Sequence, residues 1–301
     1  MNVVELPRFT NRESRSPAIT AHAFDCPLCR DAARHVGAVR GYDLYECASC
    51  RHRVFDVPYA ADSVARLFGD DYFFGGGSGY VDYLSSAHLV RQGRFYGRKL
   101  RRLAGRGLAI DVGAAAGFVA QGLQEMGWGV IGIEPNERMA RHARERLGVQ
   151  VHCGVAESFT PPQRVDAVLM LQIVAHLSDP LAVLRRVRSW LKPGGVLLIE
   201  TWNHRSVMAR LQGTKWHELS PPTVVHLFSR HSLKCALQSA GFTRITTGIH
   251  IKNIRSDRAA ELLRHARGYD SWMAGAVNLL PKEMLLPYLT DDLVWCVAYA
   301  A

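Results

Sequence analysis

Leu108 to Gly117 reads LAIDVGAAAG, and Val130 to Glu134 reads VIGIE. Each is a short apolar run closing near an acidic residue, and the first continues into a turn of small residues. That is the pattern of strand, tight turn and helix, then a second strand, in a doubly wound α/β sheet. In such a sheet the ligand lies beyond the carboxyl ends of the strands, where a small-residue turn admits the backbone and an acidic residue about 20 positions on holds ribose hydroxyls. The stretch therefore predicts a nucleoside-bearing ligand. A dinucleotide needs Gly-x-Gly-x-x-Gly, and counting from Gly113 puts Ala115 and Phe118 where glycine is required. A pyrophosphate cradle is disfavoured.

Working outward, Pro135 to Leu147 reads as the helix after the second strand. Val165 to Leu171 (VDAVLML) reads as a further strand, and Pro180 to Leu191 (PLAVLRRVRSWL) carries apolar residues at helical spacing. Lys192-Pro193-Gly194-Gly195 stops that helix and turns the chain into the apolar run Val196 to Ile199, which ends at Glu200. Thr243 to Ile251 and Asp292 to Ala300 are expected to be the last two strands, with a helical insertion around Ala259 to Arg267 between them.

Asp111-x-Gly113-x-x-x-Gly117 resembles the first motif of class I S-adenosylmethionine (SAM) methyltransferases, commonly Asp-x-Gly-x-Gly-x-Gly, with Ala115 departing from it. The stretch HLSDPLAVLRRVRSWLKPGGVLLIE, from His176 to Glu200, resembles the core of the ubiquinone-type and natural-product members of that group. The resemblance spans about residues 106 to 245. It implies a Rossmann-like, seven-stranded α/β core and SAM as cofactor. The expected cofactor residues are Asp111, Gly113, Ala115, Gly117, Phe118, Glu134, Pro135, Ala156, Glu157 and Gln172. The Asp of the usual adenine motif is replaced by Val155, so adenine is expected to be held by backbone and apolar contacts.

Composition sets the outer bounds. The chain has 301 residues, 48% hydrophobic and 21% charged, ordinary for one large globular core with a small appendage. No apolar run approaches the ~20 residues of a membrane span. The opening MNVVELPRF lacks the order of a signal peptide. The expected compartment is the cytoplasm, with no membrane partner. Net charge is +10, but six of the 37 basic residues are Lys and 31 are Arg, a bias that coding composition explains as readily as phosphate recognition. The densest cluster, Arg91, Arg94, Arg98, Lys99, Arg101 and Arg102, falls on a helix predicted from near Tyr83 and reads as a solvated face.

Cys26-x-x-Cys29 and Cys47-x-x-Cys50, separated by 17 residues, have the spacing of a four-thiolate zinc ribbon. A segment this short lacks the core to order itself without a staple. With all four positions cysteine, the metal is expected to be structural. Cys153, Cys235 and Cys296 read as small hydrophobes. A ribbon ahead of a methyltransferase resembles a bacterial group acting in glycan, deoxysugar and natural-product pathways. It also resembles the ribosomal RNA guanine N1 methyltransferases, through Cys26-Pro27-Leu28-Cys29; their last ligand is typically His, where this chain has Cys50.

The predicted organisation is a ribbon over 1–57, a helical lid or linker over 58–105, and a methyltransferase domain over 106–301 with a substrate-side insertion about 202–230. In the lid, LFGDDYFFGGGSGYVDY offers Tyr72, Phe73 and Tyr80 as aromatic covers for a sulfonium. Methyl transfer to a hydroxyl needs a proton removed, which histidine does near neutral pH. The base candidates are His226 and His217, then His176; Trp202, Asn203 and His204 are further pocket candidates. The expected activity is SAM-dependent methylation of a small-molecule acceptor, a hydroxyl of a sugar or secondary metabolite. RNA base methylation and a non-catalytic binding module are the alternatives.

Overall fold

The computed structural model describes residues 24–59, 63–75, 82–86, 88–256, 260, 272–281 and 284–301. Tyr80 and all but Ala260 of the predicted 259–267 insertion lie outside the described residues. A seven-stranded sheet is built from β5 (Leu108–Val112), β6 (Gly129–Glu134), β7 (Gln150–Cys153), β8 (Val165–Leu171), β9 (Leu191–Trp202), β11 (Phe242–Arg255) and β12 (Leu285–Ala300). Its order is β11-β12-β9-β8-β5-β6-β7. The five strands from β9 to β7 are parallel, and β12 inserts antiparallel between β11 and β9. The chain winds outward from β5 to β7, then returns to lay β8 on the other side of β5. That reversal opens a crevice beyond the ends of β5 and β8.

The central strands are apolar because helices cover both faces. Two apolar clusters result, one on each side, holding for example Ile110, Ile133 and Leu197 on one face and Ala109, Leu169 and Leu198 on the other. The covering helices are α4 (Phe118–Glu125), α5 (Glu137–Leu147), α6 (Pro180–Trp190) and α8 (Arg230–Ser239), of which the last three start at residues whose side chains satisfy their free amides. Asn136 accepts from Met139 N, Asp179 from Ala182 N, and Ser229 with Ser232 forms a capping box. The predicted helix at Pro135 thus begins two residues later, where Asn136 supplies the cap. The expected 192–195 turn lies within β9, exposed over 192–194 and buried at Gly195, with Gly194 at φ 76°.

The helix expected from Tyr83 starts later, because Asp82 accepts from Leu84 N and closes a separate single turn at Tyr83–Ser85. Helix α3 (Leu89–Ala104) then crosses α4 at Gly93 and Gly122. A Cβ on Gly93 would meet Val119 O at 2.2 Å, so the crossing requires glycine. Five members of its basic cluster are exposed as predicted, whereas Lys99 turns inward with its Nζ 3.3 Å from the Trp295 ring centroid.

The amino-terminal segment forms β1 (Phe24–Asp25), β2 (Ala32–Val39), β3 (Tyr42–Cys47) and β4 (Arg53–Phe55), followed by short helices α1 (Ser63–Leu67) and α2 (Asp70–Phe74). Its sheet, β1-β2-β3-β4-β10, takes a fifth strand, β10 (His226–Leu227), from the segment after α7 (Val207–Gln212). No helix among the described residues is long and apolar enough to cross a membrane.

Candidate active site

A cavity of about 450 Å³ opens beyond the carboxyl ends of β5, β6 and β8, walled on its outer side by Phe68, Tyr72 and Phe73 of the α1–α2 segment. One half is carboxylate-lined. Gly113 turns the chain at φ 74°, and a Cβ there would lie 2.2 Å from Ile173 Cδ1. Ala115 also adopts a left-handed φ of 45°, costly for a residue with a side chain. Its N–H donates to Glu134 Oε2 at 2.9 Å, and Asn136 N–H donates to Glu134 Oε1 at 2.8 Å. Glu134 therefore fixes the turn opposite it.

Asp111 and Glu134 are each 3% exposed. Burial, with Glu134's charge added, pushes the Asp111 carboxyl up to about 7. Burial also raises Glu134 to about 7, against the opposing pull of the Asn136 and Ala115 amides. Asp111 Oδ2 has no hydrogen-bond partner among the described residues. A buried acceptor without a donor is costly. This wall fits a ligand that brings a cationic or hydroxyl donor, as the ammonium and ribose of SAM do.

Pro135, Ala156, Glu157 and Gln172 share the cavity wall. Gln172, at φ 60°, donates from Nε2 to Glu200 Oε1 at 3.1 Å, and Tyr96 donates to the other oxygen of that buried carboxyl group. Gly117 and Phe118 are not brought to the wall. Gly117 caps α4 against Ala143, and Phe118 packs behind the turn with Phe73 and Ala115.

The other half carries titratable groups at the far end of β8 and β9. His176 has Nδ1 2.6 Å from the Thr223 carbonyl, so the neutral ring donates there and keeps Nε2 as an acceptor. Burial lowers its pKa. His217 sets its ring edge on Trp202 at 4.6 Å, with Nε2 3.5 Å from Glu218 Oε1. Glu218, its side chain 13% exposed, is pushed up to about 8 by burial, with the charge of Asp292 adding. The local pattern WHELSPP gave no sign of that, because Asp292 arrives from β12.

His226 requires a correction. It is 2% exposed and stands opposite Val54 of β4, which turns its ring to the ribbon; its Nδ1 lies 3.0 Å from His52 Nε2. It is not on the cavity wall. Burial pulls it down to about 4. His204 Nε2 is engaged by the Arg51 carbonyl at 3.1 Å, and Asn203 Nδ2 by Asp291 O at 3.1 Å, so neither lines the cavity.

Away from the cavity, the sulfurs of Cys26, Cys29, Cys47 and Cys50 all lie within 4.8 Å of one another. Cys26–Cys50 and Cys29–Cys50 are 3.6 Å apart and Cys29–Cys47 3.4 Å. A tetrahedral zinc with 2.3 Å bonds has edges of about 3.8 Å. The Cys50 hydrogen bond lowers Cys26 to about 5, while burial lifts Cys29 to about 12. Ionising all four thiols calls for a cation, and the donor set fits a tetrahedral metal.

A family model described as a methyltransferase domain matches residues 87–247. The ubiquinone biosynthesis O-methyltransferase of Bradyrhizobium diazoefficiens is 31% identical over 99 residues, 31% of this chain and 39% of that protein. The enzyme of the same description from Dinoroseobacter shibae is 34% identical over 116 residues, 36% of this chain and 47% of its own. The match spans less than half the length of these two relatives. A solved SAM-dependent methyltransferase of Thermotoga maritima aligns with a TM-score of 0.50 at 20% identity, over 79% of this chain and 100% of that one, a likeness of fold.

Proposed function

The chain belongs to the methyltransferase-domain family, and on that premise we propose that it transfers a methyl group from SAM to a hydroxyl of a small molecule, a sugar or secondary metabolite. The observation that carries the reading is the two-sided cavity: Asp111 and Glu134 at one end, His176, His217 and Glu218 at the other. The relatives named above are O-methyltransferases, which supports a hydroxyl acceptor.

In this reading Glu134 holds the ribose hydroxyls and Asp111 the α-amino group, while Phe68, Tyr72 and Phe73 exclude water. When bound, SAM supplies a methyl carbon already activated by its sulfonium. The protein's task is then alignment and proton removal. Glu218 sits in the acceptor wall beside His217, whose side chain is 52% exposed. Glu218, in the ionised form that it gains as pH rises toward about 8, takes the acceptor's proton and His217 passes it to solvent; His176 Nε2 is the second acceptor available there. The four cysteines hold one structural zinc.

The test is incubation of the purified full chain with methyl-labelled SAM, separately with a bacterial small-molecule extract and with total RNA. Label in a small molecule supports the reading. Label confined to RNA points to base methylation and overturns the acceptor assignment, and label in neither favours a binding module.

A further inference from the structure

The ribbon's sheet is completed by the same segment that walls the acceptor end. In β10, His226 stands opposite Val54 and Leu227 opposite Arg53. Phe55 N–H donates to Val225 O at 2.9 Å, and Val225 N–H donates to Ala175 O at 2.9 Å. Val225 thus joins the ribbon to the turn carrying His176. Just upstream, Ser220, Thr223 and Val224 line the cavity, and the Thr223 carbonyl holds the His176 ring.

Two side-chain ties reinforce the seam. His52 Nε2 meets His226 Nδ1 at 3.0 Å, with the residues 0% and 2% exposed. His204 Nε2 meets Arg51 O at 3.1 Å while its N–H donates to Phe228 O at 2.9 Å. Arg51 and His52 directly follow Cys50, and the knuckle is closed by Cys47 N–H to His52 O at 2.8 Å. Phe228 shares an apolar cluster with Cys26, Cys47 and Cys50. The cofactor wall is built differently, since the Glu134 bonds run to Ala115 and Asn136.

We propose that the four-cysteine module is the positioning frame of the acceptor wall: His52 and the Arg51 carbonyl hold His226 and His204, and through them residues 220–228 and the ring of His176. The cofactor wall stands without it. The proposal rests on the division of the cavity given under Proposed function. A module with so little core is ordered by its metal, so metal loss releases the acceptor wall first.

The experiment is hydrogen exchange by mass spectrometry on the full chain, zinc-loaded and chelator-stripped under reducing conditions, alongside S-adenosylhomocysteine (SAH) affinity by calorimetry. Losing one buried hydrogen bond's protection predicts about tenfold faster exchange at Phe55, Val225 and His204, with SAH affinity within about twofold. In zinc-loaded protein His226→Ala gives the same local change with zinc content intact, and His226→Gln, which keeps a polar partner for His52, restores most of the protection. Unchanged exchange at Val225 and His204 in both stripped protein and His226→Ala overturns the proposal. So does exchange rising equally through β5 and β6 with SAH affinity lost, the mark of a module that only stabilises the whole fold. Intact protein that binds no SAH refutes the cofactor reading instead, and the exchange pattern still decides this proposal.

Discussion

The backbone N–H of Ala115 donates to Glu134 Oε2 at 2.9 Å, tying a left-handed, non-glycine turn residue to the acidic end of the next strand. Glu134 thereby serves the turn and faces the cavity at once. A hydrogen bond to a charged group contributes roughly 1.5 to 3 kcal/mol. Glu134→Ala is expected to weaken SAM binding about tenfold or more. Calorimetry on folded variant showing wild-type affinity contradicts the assignment.

Asp111 gives a pH dependence whose sign follows from its raised pKa. A carboxyl lifted from 3.8 to about 7 contributes stability at low pH that is lost as pH rises through about 7. The buried histidines act oppositely: His226, lowered from 6.5 to about 4, loses stability as pH falls below 6.5. Between about pH 4 and 7 the comparison of wild type with Asp111→Asn isolates the carboxyl, since the contributions of the groups common to both proteins cancel. Thermal melts without ligand are expected to show the wild type losing ground to Asp111→Asn across that window. SAM affinity of the wild type is expected to tighten over the same window, and a flat wild-type profile refutes the role of Asp111.

Proton removal is assigned to Glu218, with His217 as its outlet. A positioned base contributes about 10² to 10⁴ in rate. On the identified acceptor Glu218→Gln is expected to lower turnover by that order while SAM affinity stays nearly intact. If Glu218→Gln and His217→Gln both keep full turnover, the base is elsewhere, and His176→Gln is the variant to measure next.

Elemental analysis of the purified protein is expected to find one zinc per chain, lost in Cys50→Ser, with SAH binding retained after the loss. Protein free of metal and still protected around Cys26 and Cys50 argues against the zinc assignment.

Much of the core was legible because its signals are local. LAIDVGAAAG and VIGIE fall on β5 and β6, the LKPGG stop on the start of β9, and the paired Cys-x-x-Cys knuckles on one cluster of four sulfurs. What escaped depends on distant partners. His226 reads as a pocket histidine until β10 is seen pairing with β4, and Glu218 looks ordinary until β12 brings Asp292 beside it. Tyr96 and Glu200, a buried pair behind Gln172, likewise meet only when α3 packs on β9. The helix predicted from Tyr83 was cut short by a turn that Asp82 closes within three residues.

The most direct measurement is a crystal structure of the zinc-loaded full chain grown with SAH. The account predicts SAH in the cavity beyond β5 and β6, its ribose hydroxyls on the Glu134 carboxylate and its α-amino group on Asp111 Oδ2. An empty cavity at saturating SAH, or SAH bound away from Asp111 and Glu134, would contradict it.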